Sequence, residues 1–94
     1  MIAQSERKEL LKEIKADEDY ISAAAIYKQI TGRKIYHRYL YRFLKGEIII
    51  TGKKPGSHQP LQMWEALVEA IVQRKMKEEM MTREAKAMRE RLAA

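Results

Sequence analysis

From Pro60 to about Leu92 the chain reads as a single helix of roughly thirty residues, longer than most helices of globular proteins. Pro60 suits a first helical turn, where its missing N–H leaves no bond unmade. Leu61, Trp64, Val68 and Ile71 recur at helical spacing, and Leu67, Val72 and Met76 join them. Beyond Met76 the stripe thins to Met80, Met81, Ala85, Met88 and Leu92. A helix of this length either projects from its core or breaks near "KEEMM" (77–81). Lys75 and Glu78 interrupt its heptads, so the expectation is a short coiled coil or a paired-helix dimer. The residues expected to make that homodimer are Trp64, Val68, Ile71, Val72, Met76 and Met80. The methionines also suit a soft surface for another protein.

The 94 residues provide for one domain with a small core. The expected fold class is all-α: a small head over residues 1–60 and the long helix over 61–94, which closes the core and pairs. The chain has no cysteine, which removes disulfides, thiol chemistry and Cys-based zinc sites. No apolar run approaches the roughly 20 residues that span a bilayer. The first fifteen residues mix acids and bases and lack the apolar centre of a signal peptide. A cytoplasmic protein with no membrane contact is the expectation.

Within the head, residues 4–16 predict a first helix, with Ser5 as a cap and a narrow stripe of Leu10, Leu11 and Ile14. Three acids in "KADEDY" lead toward a second helix that starts near Ser22 and stops at Gly32. A third helix spans about 35–45. Tyr36, Leu40, Phe43 and Leu44 form one face, and Gly46 ends it. Residues 48–51 predict a short strand or extended arm, hence a small hairpin or wing, followed by a Gly- and Pro-rich loop.

The net charge of +6 is concentrated in the middle of the chain. Residues 27–54 hold eight bases against Glu47 alone. The stretch before them carries four bases and six acids, and the stretch after them seven bases and six acids. Such a cluster repels itself in a compact fold, and a polyanion relieves the repulsion while releasing counterions. Duplex DNA is the expected partner. An acidic protein also answers the charge.

A helix, a Gly-marked turn and a second amphipathic helix with basic residues outside follow the helix-turn-helix plan, in which the second helix enters the major groove. "AAAIYKQITG" and "KIYHRYLYRFLKGE" would be its two helices. This stretch of some 25 residues resembles the helix-turn-helix of bacterial and phage repressors. The matching positions are Ala24 or Ala25 at the helix crossing, Ile30 before the turn, Gly32 within it, Leu40 with Phe43 or Leu44 behind the second helix, and the closing "FLKGE". The resemblance implies a dimeric transcriptional regulator that occupies an operator, often encoded by a phage or plasmid.

Chemistry assigns the roles. Arg38 and Arg42 lie four apart on the outward face, and Arg pairs bidentately with guanine. His37 and Tyr41 flank them as further base contacts. Arg33, Lys34, Lys45, Lys53 and Lys54 suit phosphates, which position without specifying. Tyr36 and Tyr39 are expected to be half-buried packing residues, and Tyr20 and Tyr27 to sit at the core margin. Two readings stand beside DNA: an adaptor that docks an acidic protein, and an RNA binder whose Tyr39, Tyr41 and His37 stack on unpaired bases.

No catalytic pattern emerges. Ser5, Ser22 and Ser57 lack a base partner. His37 and His58 are too few for a metal site. Glu13, Asp17, Glu18 and Asp19 lack the order of a calcium loop and suit capping and solubility. "TGKKPGS" lacks phosphate-loop spacing. The expectation is a binding protein without enzymatic activity, cofactor or metal.

Overall fold

The computed structural model describes residues 3–53 and 56–93. Four helices follow in order: α1 (Gln4–Glu13), α2 (Glu18–Thr31), α3 (His37–Lys45) and α4 (Pro60–Ala93). Among the described residues no strand occurs, and no helix is long and apolar enough to cross a membrane.

The helix ends follow local chemistry. Gly32 closes α2 in the left-handed conformation, φ 74°, and its N–H donates to the Lys28 carbonyl at 2.7 Å. Gly46 ends α3 in the same way, with φ 79°. Both conformations cost a side-chain-bearing residue about 1 kcal/mol or more. Pro60 is the first residue of α4, as expected. Two starts differ from expectation. Ser5 lies inside α1, whose cap position is Ala3. Ser22 lies inside α2, which begins one turn earlier, at Glu18, with Glu18 and Asp19 in its first turn. Acids there oppose the positive end of the helix dipole, which favours the earlier start.

The core joins α2, α3 and the first three turns of α4. Tyr20, Ala23, Ile26 and Tyr27 meet Leu40, Phe43, Leu44 and Ile35, with Met63, Ala66, Leu67 and Ala70 opposite. The largest interhelical interface is α2 on α4. Ala23, Ala66 and Ala70 are all buried, and their small side chains permit close approach of the two backbones. Tyr20 and Tyr27 are fully buried rather than marginal. Leu10 and Leu11 of α1, and Ile14 at its C-terminal cap, are only half-buried against this core.

Residues 48–51, expected as a short strand or extended arm, form no strand. Ile48 and Ile50 pack on the core, while Ile49 between them is 91 % exposed. The alternation suits a strand, but no neighbouring segment supplies a ladder of hydrogen bonds, so neither hairpin nor wing forms among the described residues.

α4 runs unbroken through "KEEMM". At 1.5 Å per residue it is about 51 Å long. It gives the molecule extents of 62 × 29 × 18 Å. Every described residue from Lys75 onward is exposed. Just below that stem sits a buried ion pair. Arg74 Nε donates to both carboxylate oxygens of Asp19, at 2.9 and 3.0 Å, and Arg74 Nη2 donates to the Glu13 carbonyl at 2.8 Å. Asp19 is 1 % exposed and also accepts the Lys15 N–H at 2.7 Å. One of the acids expected to serve capping and solubility is therefore the charged centre at which α1, α2 and α4 meet. Its hydrogen bond holds the Arg74 guanidinium above its ordinary pKa.

Candidate nucleic-acid interface

α3 divides cleanly. Tyr39, Leu40, Phe43 and Leu44 turn inward, with the last three fully buried and Tyr39 half-buried as expected. His37, Arg38, Tyr41, Arg42 and Lys45 are exposed. At 100° per residue the exposed set spans an arc of roughly 140°. Arg38, Arg42 and Lys45 therefore point the same way, and no acid lies on the helix. Glu47, just past its end, approaches Arg42 at 3.7 Å, but both side chains are more than half exposed. Such a pair contributes little and is readily exchanged for a better anion.

Tyr41 is less free than its position suggests. Its ring meets Tyr20 edge-on at 5.4 Å, and the Lys45 ammonium lies 5.3 Å from its centroid. Burial, with the neighbouring Tyr41 and Asp19, pushes the Tyr20 phenol up to about 12, so it stays neutral. Tyr36, expected to be half-buried, is 74 % exposed at the start of α3, because it occupies the cap position, outside the helical face that packs inward.

Two attachments set the attitude of α3. At its C-terminal end, Arg7 of α1 donates from Nη1 to the Phe43 carbonyl at 2.6 Å, and its guanidinium lies 5.1 Å from the Phe43 ring centroid. A cation on a last-turn carbonyl complements the helix dipole. On its other flank stands His58. The Tyr27 hydroxyl shares a 2.9 Å hydrogen bond with His58 Nδ1 and accepts the Gln59 N–H at 3.4 Å. The His58 ring packs on both Tyr27 and Tyr39, at 5.3 and 5.4 Å. Burial, and then the charge of Arg33, keep His58 below its ordinary pKa.

The expected phosphate ligands separate. Lys34, Lys45 and Lys53 are exposed. Lys54 lies outside the described residues. Arg33 turns inward: Nη1 donates to the Ser57 carbonyl at 2.7 Å and Nη2 to the Gly56 carbonyl. It fastens the loop before α4 to the turn after α2, which leaves its guanidinium committed within the protein. Arg7, His58 and the inward Arg33 escape a reading of local pattern, because each hydrogen-bond partner lies 23 to 36 residues away.

The residues expected at a dimer contact also separate. Ile71 is buried within the protein, at the edge of the α4 face that carries Met63, Leu67 and Ala70. Trp64 and Val68 are half-buried, whereas Val72, Met76 and Met80 are exposed. Among the described residues, no three His, Asp or Glu side chains cluster as metal ligands would. Comparison with protein families, curated proteins and solved structures finds no match to this chain.

Proposed function

We propose that this protein binds duplex DNA as a small transcriptional regulator, with α2 and α3 as a helix-turn-helix and α3 as the helix that enters the major groove. The observation that carries the reading is the outward face of α3. Arg38, Arg42 and Lys45 share it, no acid interrupts it, and Leu40, Phe43 and Leu44 anchor it from behind. Arg38 and Arg42 read base edges, with His37 beside them. Tyr41, held by Tyr20, serves a sugar or base edge rather than a stacking role. Lys34, Lys45 and Lys53 take phosphates. The protein acts by occupancy, without chemistry.

DNA is favoured over unpaired RNA because two of the rings an RNA reading would use are already engaged. Tyr39 packs on His58 and Tyr41 on Tyr20. An acidic protein partner would use the same basic face and is separated from DNA by experiment. Fluorescence anisotropy on random-sequence duplex, across roughly 50–300 mM salt, reads the electrostatic contribution directly. The expected result is micromolar affinity that falls steeply with salt and drops at least about tenfold in R38A/R42A. Both arginines are exposed on a helix, so the variant keeps its fold. Absence of binding at the lowest salt would overturn the DNA reading.

A further inference from the structure

Five apolar side chains stand in one row on α4: Trp64, Val68, Val72, Met76 and Met80, each four residues from the next. Rows with this spacing are the ridges along which helices cross. This ridge turns away from the protein's own core as it climbs. Trp64 and Val68 are half-buried, but Val72, Met76 and Met80 are 43 %, 60 % and 59 % exposed. Beside its lower end lies a shallow groove of about 610 Å³, lined by Ile26 and Ile30 of α2 with Trp64 and Val68, and bordered by Glu65 and Glu69. The adjoining row on α4 reverses its charge along its length, from Glu65 and Glu69 through Gln73 to Lys77. Neither Glu65 nor Lys77 has an ion-pair partner among the described residues.

We infer that a second copy of this chain occupies this face, with two α4 helices crossing antiparallel about a two-fold axis at Val72. That register sets Val72 against the partner's Val72, Val68 against the partner's Met76, and Trp64 against the partner's Met80. A thioether against an indole is a favourable contact. The flexible methionines of each stem then fill the groove of the other protomer. In the adjoining row Gln73 meets the partner's Gln73, and Glu69 meets the partner's Lys77, twice by symmetry. The reversal of charge makes the surface complementary to itself, as an isologous interface requires. Parallel pairing would set Glu69 against Glu69 and Lys77 against Lys77, and would leave the groove empty. Ile71, on the inward side, takes no part. The inference does not depend on nucleic acid, so its failure leaves the proposed function standing, and the reverse holds as well.

Sedimentation of the full chain without DNA, from about 1 to 300 µM, covers the affinity range of a small helical interface. A dimer is expected, with Met76→Glu/Met80→Glu monomeric at unchanged helix content, since both side chains are exposed. Lys77→Glu should weaken the dimer about tenfold, and Glu69→Lys in the same chain should restore it. The chain lacks cysteine, so single cysteines report orientation cleanly. Val72→Cys at the axis should oxidise to a linked dimer, and Glu90→Cys near the stem's end should not. A monomer throughout the range would overturn the inference. So would a dimer that survives Met76→Glu/Met80→Glu, a Lys77→Glu defect that Glu69→Lys leaves uncorrected, or cross-linking at Glu90→Cys in place of Val72→Cys.

Discussion

The two halves of α4 are built from similar residues and meet opposite fates. In the first, Met63, Leu67 and Ala70 join the core with α2 and α3, and Ile71 beside them is also buried. In the second, Met81, Ala85, Met88 and Leu92 are exposed. Met81, Ala85 and Met88 lie eighteen residues, or five turns, beyond Met63, Leu67 and Ala70, and so at the same azimuth. Arg74 marks the border: it is the last residue of the helix that is not exposed, and it faces Asp19. Hydrophobic periodicity thus describes which side of a helix is apolar. It does not say where along the axis a neighbour stops.

That contrast yields graded tests. Leu67→Ala should cost about 3 kcal/mol in denaturant unfolding, the usual range for a fully buried leucine, whereas Met88→Ala should change stability by less than about 0.5 kcal/mol. Equal effects would mean that the stem is buried in solution. The ion pairs contrast in the same way. Asp19→Ala removes the buried carboxylate, leaves Arg74 only Glu78 and the Glu13 carbonyl, and should cost about 2 kcal/mol. Glu79→Ala removes only an exposed pair with Arg83 four residues on, and should cost about 0.3 kcal/mol. A thermal melt at fixed protein concentration compares the two.

Smaller effects sharpen the picture of the head. Gly46→Ala places a side chain at φ 79° and should cost about 1 kcal/mol. The same fold should tolerate substitutions at Lys86 or Arg89 of the stem. The smallest effect concerns pH. His58 is held below its ordinary pKa in the folded state, chiefly by burial. The unfolded chain therefore takes up the proton first as pH falls. Stability is full above the unfolded value, near 6.5, and declines as pH drops below it. Unfolding midpoints between pH 8 and pH 5 should show that decline, and His58→Gln should flatten it.

Much of the architecture was legible without coordinates. Gly32, Gly46 and Pro60 mark helix ends because each end is a problem of local backbone geometry. The inward and outward faces of α3 were legible because apolar and basic residues segregate at helical spacing over nine residues. All-α character and the long final helix followed from the same periodicity. The starts of α1 and α2 were harder, since Ser5 and Ser22 can cap a helix or sit within one. At 48–51 strand and extended arm stayed open, because a run of β-branched residues suits both and says nothing of a partner edge.

Composition, the helix ends marked by Gly32, Gly46 and Pro60, and the basic outer face of α3 were thus determined by the sequence alone, since they depend on residues within one or two turns of each other. Tertiary structure decided the rest. It buried Asp19 against Arg74, 55 residues away, and turned Arg33 from an expected phosphate ligand into a loop fastener. It made His58 a wedge beside α3, and placed Ile71 inside while Met76 stayed outside. The physical reason is common to all of them. A side chain's role depends on what desolvates it, and desolvation comes from segments that only the packed fold brings together.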